Sequence, residues 1–318
     1  MRPSRLVTHH AQIFNYSRSK QLFICPEGVS GVKAYLWGAA GGSSWANTGG
    51  GGGFVMVPIN LSAGDTLDII VGGGGGSSWF GASPYDGVPA GRAGGGPSGK
   101  VIRPYAGAAG GDYSAVKING SLFALAGGGG GGGGGPYASV YSGGPGGGSS
   151  GGPATCDNGI FATGGTQSAG GTGGGDLVER IETPPGTFLD PNGSYLLGGA
   201  GCGNGAGESY YGGGGGGGGL YGGGGGGTGR TTHSTSSGGG GSSLVPAGGY
   251  TEPGKGTRPG GMAYPFYEWG IGMATAPSGY RPSSPVTEYE WGSALDTYRL
   301  VRDGGPGRVV ITWEKQWT

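Results

Sequence analysis

Cysteine, histidine and charge are all scarce in this 318-residue chain. The three cysteines, Cys25, Cys156 and Cys202, form no CxxC pair. An odd, sparse count points to a chain made in a reducing compartment rather than to a disulfide framework. A Cys156–Cys202 bridge stays open at this point. The three histidines are His9, His10 and His233. His9 and His10 are adjacent and would face opposite ways on a strand. No cysteine or carboxylate stands at ligand spacing from them, so they read as surface residues and no metal site is expected. No local signature supports a Cys–His nucleophilic pair.

Charged residues make up only 11% of the chain, with 18 basic against 18 acidic. That balance gives no electrostatic footprint for nucleic acid or an anionic membrane. No stretch approaches the roughly 20 apolar residues of a membrane span. Met1 to Tyr16 has Arg2 and Arg5 but no apolar core, so no signal peptide is expected. Helical periodicity is missing too, apart from a possible short helix over Ser293 to Val301.

What is abundant is glycine, with 91 residues, beside 21 prolines. The glycines follow no triplet register, which excludes collagen. The 17 Tyr, 8 Phe and 7 Trp at zero net charge argue against plain disorder. The glycine is also unevenly placed. Residues 1–40 hold three, 261–318 hold eight, and 127–228 hold 46. The pattern is that of a conventional domain opened by a glycine-dominated body.

The conventional parts read as strands: Gln12–Tyr16, Gln21–Cys25, Val32–Trp37, Phe54–Ile59, Thr66–Val71, Ala115–Ile118, Ser121–Ala126 and Arg308–Trp313. Asn119-Gly120 fits the two positive-φ positions of a type I′ hairpin turn. About eight strands at this spacing suit an all-β sandwich. The expected organisation is an arm over 1–11, the first part of the sandwich with short glycine-rich insertions over 12–126, a glycine-helix bundle over 127–260, an aromatic-rich irregular segment over 261–302, and a closing strand and tail over 303–318.

Gly127–Gly135, Gly212–Gly219 and Gly222–Gly227 have no side chains to bury. Ordering each residue costs about 1–2 kcal/mol of backbone entropy. Extended helices with three residues per turn would point bare N–H and C=O groups at neighbouring helices in three directions. Each bond contributes about 1 kcal/mol net. The runs therefore predict a cooperative bundle of polyglycine-type helices.

Several chemical motifs dissolve on inspection. Gly94-Gly95-Gly96-Pro97-Ser98-Gly99-Lys100 has phosphate-loop spacing, but Val101 replaces the hydroxyl that would hold Mg²⁺. Among the carboxylate pairs, Asp65 and Asp68 read as turn caps and Glu179 and Glu182 as a solvated loop. Glu288 and Glu290 alternate with Tyr289 and Trp291, which fits buried aromatic packing or a sugar-lined surface. The sequons at Asn15, Asn60, Asn119 and Asn192 matter only in a secreted eukaryotic chain. Arg92, Arg230 and Arg308 follow glycine, but no Arg-Gly-Gly box forms. No cofactor is expected. The candidates for contact with a receptor or a neighbouring subunit are aromatic and apolar side chains stranded among glycines: Trp79, Phe80, Tyr85, Tyr137, Tyr141, Tyr210, Tyr211, Leu220 and Tyr221.

One further pattern links these segments. Gln21-Leu22-Phe23 and Pro26-Glu27-Gly28-Val29 precede Val32–Trp37 and then Gly38-Ala39-Ala40-Gly41-Gly42. Gly49–Gly53 runs into a strand, and Leu61-Ser62-Ala63-Gly64-Asp65-Thr66-Leu67 leads to Ile70-Val71 and Gly72–Gly76. Leu125-Ala126 opens a nine-glycine run, and Gly307–Trp313 closes the chain. Over residues 12–135 and 303–313 this order resembles the glycine-rich domain of bacteriophage tail fibres, adhesins and other virion proteins. It is similar also to the extracellular glycine-rich region of the anaplastic lymphoma kinase receptor family. The resemblance implies a tumour-necrosis-factor-like, jelly-roll β-sandwich with inserted polyglycine II helices. It further implies a non-enzymatic virion protein of the tail or fibre, assembled in the host cytoplasm, with a trimer favoured. Its expected partners are other virion proteins and a bacterial surface receptor, with no nucleic acid and no membrane insertion. Alternatives are a capsid decoration or assembly protein without a receptor, a glycan-cleaving tail enzyme, and an ice-binding protein, for which regular threonine spacing is missing.

Overall fold

The period-two alternation of apolar residues assigns the inner faces of two sheets. The computed structural model describes residues 7–44, 47–78, 91–99, 106–134, 141–155, 162–174, 182–183, 187–188, 190–203, 211–227, 236–274 and 303–316. Its strands are β1 (Val7–Asn15), β2 (Gln21–Ile24), β3 (Val29–Trp37), β4 (Phe54–Pro58), β5 (Thr66–Ile70), β6 (Ser114–Ile118), β7 (Ser121–Ala126), β8 (Glu182–Thr183), β9 (Thr187–Phe188), β10 (Tyr250–Glu252) and β11 (Arg308–Gln316). There is no helix among the described residues. A five-stranded antiparallel sheet runs β1-β11-β3-β4-β10 and a four-stranded one runs β2-β5-β6-β7, while β8 and β9 form a separate hairpin.

Val32, Ala34 and Leu36 of β3 point inward with Val55 and Val57 of β4 and Val309 and Ile311 of β11. They meet Phe23, Leu67, Ile69, Val116, Ala124 and Ala126 of the other sheet in one core. The molecule is thus an all-β sandwich. Asn119 and Gly120 have φ of 50° and 81°, the two left-handed positions of the hairpin turn. Two differences from the sequence expectation stand out. β1 starts at Val7, ahead of Gln12, because all nine of its residues pair with β11. β10 was not anticipated, since three residues pairing with β4 carry too short a pattern to read.

The glycine tracts leave the strand ends and bond to one another. Gly38 N–H donates to the Gly53 carbonyl at 2.8 Å, continuing the β3–β4 ladder into the glycine body. In the tract after β7, partners recur at every third residue. Gly128, Gly131 and Gly134 donate to the carbonyls of Gly218, Gly215 and Gly212. Gly129 and Gly132 donate to Ala39 and Gly42, and Gly130 donates to Gly144. The carbonyls of Gly127 and Gly130 accept from Gly53 and Gly50, those of Gly128 and Gly131 from Gly241 and Gly238, and those of Gly129 and Gly132 from Gly111 and Ala108. These bonds measure 2.7–3.0 Å and reach six neighbouring tracts.

The 212–219 tract repeats the arrangement. Gly213 and Gly216 donate to Cys202 and Gly199, Gly214 and Gly217 to Ser236 and Gly239, and Gly215 and Gly218 to Ala108 and Gly111. Donors from 96–99, 223–226 and 128–134 reach its carbonyls. The lattice therefore recruits the short stretches near 38–53, 72–76 and 94–112 as well as residues beyond 127. Serines close its ends. Ser236 and Ser237 accept from Gly227 and Gly133 at 2.7 and 3.1 Å, and Ser243 accepts from Gly127 at 3.1 Å. Their side-chain oxygens pair backbone donors that have run out of main-chain neighbours.

Asp112 ties the lattice to the four-stranded sheet. Its carboxylate accepts the N–H groups of Gly95 at 2.8 Å and Gly73 at 3.2 Å, and the residue is 2% exposed. Burial pushes its carboxyl above the usual range, against the backbone donors that pull it down.

Two outcomes follow from this packing. A Cβ on Gly130 would lie 2.0 Å from the Gly238 carbonyl oxygen, whereas one on Gly64, at φ +84°, meets nothing within 4 Å. Gly130→Ala should lower the unfolding free energy by about 3 kcal/mol or more, and Gly64→Ala by about 1 kcal/mol, both read by urea denaturation. For Asp112, the folded form holds its proton more tightly than the unfolded chain does. Its contribution to stability is then fully present below the ordinary carboxylate pKa of 3.8 and is lost as pH rises toward the folded value. The unfolding free energy of the wild type minus that of Asp112→Asn should fall with rising pH across that window. A paired surface carboxylate would give the opposite slope.

Candidate contact surface

The outer face of the five-stranded sheet carries an unusual density of rings. Tyr35 of β3 lies across from Val310 of β11 and Met56 of β4, and Met56 lies across from Tyr250 of β10. One residue-pair further along, Trp37 lies between Arg308 and Phe54. Alternation sends these side chains away from the sandwich core, where they would be exposed. The chain following the lattice, residues 259–274, folds over them. Trp37 and Phe54 are consequently fully buried, with Ile271 and Val310 beside them. Gly261, at φ +69°, is where this cover touches the sheet. A Cβ there would lie 2.3 Å from the Phe54 ring.

The cover places its own rings on top. Tyr264 lies 4.5 Å from Phe54 by ring centroid, 5.9 Å from Tyr250 and 6.4 Å from Tyr35. Phe266 meets Tyr35 edge-on at 5.9 Å. Phe266 holds φ +70°, a costly conformation for a bulky residue. Arg308 maintains it. This guanidinium, on a residue only 5% exposed, donates to the Phe266 carbonyl at 3.0 Å, to Asn15 Oδ1 of β1 at 3.0 Å, and to the Glu268 carboxylate. The result keeps three aromatic rings facing outward: Tyr250 and Trp269 are each 45% exposed and Phe266 is 36% exposed. Burial, with further contributions from Tyr250, Glu252 and Tyr35, raises the Tyr264 phenol above its usual range. A phenol is protonated at neutral pH with or without that shift, so Tyr264 can donate a hydrogen bond there. Flat apolar faces with phenolic donors at their edges suit contact with another molecule.

Of the residues singled out in the sequence, Trp79, Phe80, Tyr85, Tyr137 and Tyr210 lie outside the described residues. Tyr141 and Tyr211 are half-buried beside glycine tracts, and the Tyr141 carbonyl accepts from Thr48 N–H at 3.2 Å. Leu220 and Tyr221 separate two long tracts and are half-buried as well. Tyr221 meets Tyr195 edge-on at 5.8 Å, so the structure joins Leu220 and Tyr221 to exposed Tyr195 and Leu197. Sequence reasoning missed Tyr195, although a Tyr-Leu-Leu run inside glycine was visible. It also missed the platform of Tyr35, Tyr250, Tyr264, Phe266 and Trp269.

The remaining motifs have structural work. Gly96 and Gly99 of the phosphate-loop match spend their N–H groups on Gly216 and Gly213. Asp65 accepts from Ser62 N–H at 2.7 Å as a turn cap, and Asp68 pairs with Lys20 at 2.9 Å. His10 stacks on Trp313, and His9 lies 3.6 Å from Glu314. Cys25 and Cys202 are free and buried, and burial pushes the Cys202 thiol up to about 11. Cys156 and the Glu288–Trp291 stretch lie outside the described residues. Among the described residues no three His, Cys, Asp or Glu side chains gather as metal ligands, and no helix is long and apolar enough to cross a membrane. Comparison with protein-family models and with curated protein sequences gives no match.

Arg308→Gln should cost about 3 kcal/mol, because it leaves the Phe266 carbonyl and Asn15 without their charged donor. Glu268→Gln should cost about 1 kcal/mol or less, since that side chain is 59% exposed. Urea denaturation of the two variants separates a buried clamp from a surface ion pair, and equal losses would refute the clamp.

Proposed function

We propose that the chain is a non-enzymatic structural protein of a bacteriophage virion, part of the tail or fibre. In this reading the sandwich has tumour-necrosis-factor-like, jelly-roll connectivity and carries inserted polyglycine II helices. The surface between and beside those helices makes the attachments, to neighbouring virion subunits in a homotrimer and to a bacterial surface receptor.

One observation carries the proposal: hydrogen-bond partners that change with a three-residue period and reach six neighbours per tract. That is the bonding a threefold, side-chain-free helix makes when packed among its own kind. Such a body is stiff, and polar side chains buried in it, Asp112, Ser236 and Ser237, are spent on backbone N–H groups of the lattice. Its value lies in holding surface groups at fixed positions. The two exposed aromatic areas, around Tyr264 and Phe266 and around Tyr195 and Tyr221, supply surfaces for contact. The strand-to-glycine order that resembles the virion domain supplies the biological setting.

Purified protein added to host cells should reduce adsorption of the phage that encodes it. Trp269→Ala, which removes an exposed ring, should weaken that competition. The protein should also sediment at the mass of three chains. Unchanged adsorption together with fragile heads when the chain is missing would move the assignment to a capsid decoration protein. Sugar release from host envelopes would overturn the non-enzymatic reading.

A further inference from the structure

An open cleft of about 390 Å³ lies on the outer face of the four-stranded sheet, where the β1–β2 turn approaches residues 91–95 of the glycine body. Four of the nine lysines and arginines among the described residues line it: Arg18, Lys20, Arg92 and Lys117. In a chain with no net charge this is a marked concentration. We propose that the cleft binds an oxyanion ligand of monosaccharide size, bearing a phosphoryl or carboxylate group.

The charge balance inside the cleft favours an anion. Two carboxylates, Asp68 and Asp112, share the lining. Asp68 is engaged by Lys20 at 2.9 Å. Asp112 lies at the back, 2% exposed, with its oxygens taken by the N–H groups of Gly95 and Gly73. Arg18, Arg92 and Lys117 are therefore left with no carboxylate partner among the described residues. Among the described residues the Arg92 guanidinium makes a long contact, 3.5 Å, to the Arg18 carbonyl. Three cations from three separate segments line one concavity, which raises the positive potential inside it. Guanidinium groups are suited to paired hydrogen bonds with phosphoryl or carboxylate oxygens.

The remaining lining suits the body of a small polar ligand. Tyr113, 8% exposed, and half-buried Tyr16 offer ring surface beside Ile70 and Val71. The volume is that of a small-molecule site rather than a macromolecular groove. The register explains why the cations converge. Asp68 of β5 lies directly across from Lys117 of β6, and the β1–β2 turn brings Arg18 and Lys20 over the same strand pair. This inference does not depend on the virion assignment.

Isothermal titration calorimetry on the full chain at low salt tests it with three probes: glucose 6-phosphate, glucuronate and glucose. Saturable binding of one or both anions, with glucose at least tenfold weaker, is expected. A preference for glucose 6-phosphate assigns the phosphoryl source, and a preference for glucuronate the carboxylate source. Arg18→Gln and Lys117→Gln should each weaken binding about fivefold or more, and added salt should weaken it further. Lys255→Gln, an exposed cation outside the cleft, should leave binding unchanged. Thermal melting of each variant confirms the fold, and among the described residues Arg18 makes no side-chain bond whose loss would unfold the chain. Glucose binding as tightly as the anions, no saturable binding of either anion, or full affinity in both cleft variants would overturn the proposal.

Discussion

Two backbones can approach closely enough to exchange hydrogen bonds sideways only where no Cβ stands between them. That constraint governs more of this molecule than hydrophobic burial does. Ideal Cβ atoms placed on Gly41, Gly129, Gly216 and Gly224 would each lie 2.0 Å from a carbonyl oxygen of another tract. The same carbonyls accept N–H donors from elsewhere in the lattice. In a hydrophobic core, apolar side chains fill the space and the backbone pairs within sheets or helices. Here the backbone is both filler and glue, so every donor needs a neighbour from a different part of the chain.

Such a lattice is poorly able to stabilise itself. One bond per residue at about 1 kcal/mol falls short of, or barely matches, an ordering cost of about 1–2 kcal/mol per residue. The sandwich tips the balance by holding the tract ends in place. β3 runs from Trp37 straight into Gly38, β4 emerges from Gly53, β7 delivers Ala126 to Gly127, and β11 follows Gly307. The glycines prolong strands that a core of Val, Leu, Ile and Phe already holds in register. Ser236 and Ser237 finish the pairing with hydroxyls at the far limits, at Gly227 and Gly133, and Ser243 does so at Gly127 beside β7.

The same logic explains what was legible in the sequence. Strands with clear alternation, the Asn-Gly turn and the cooperative character of the glycine body could all be read locally. The extent of the body could not. Stretches such as Gly49–Gly53 or Gly94–Gly96 look like loops until their partners at 127–130 and 216 are known. The aromatic platform was hidden for a similar reason. Arg308 meets Phe266 across 42 residues and Asn15 across 293. Nor does an aromatic side chain announce a left-handed φ, because nothing local favours it. The cationic cleft likewise draws Arg18, Arg92 and Lys117 from segments that share no pattern.

A framework of this kind divides the chain sharply by tolerance to change. At glycines such as Gly41, Gly129, Gly216 and Gly224 a methyl group would collide with main chain that has no rotamer to adjust, whereas Ala39, Ala40 and Ala108 hold buried tract positions. The platform rings meet solvent, and the cleft cations meet an open volume, so neither enters the lattice pairing. Exposed Trp269, Arg18 and Arg92 can therefore change without breaking the lattice pairing, whereas Tyr264, packed 4.5 Å from buried Phe54, belongs to the fold. A stiff interior that holds surface groups at fixed positions is what the proposed display role requires. It is also why the aromatic clamp at Arg308 matters: it belongs to the sandwich at one end and orients an exposed ring at the other.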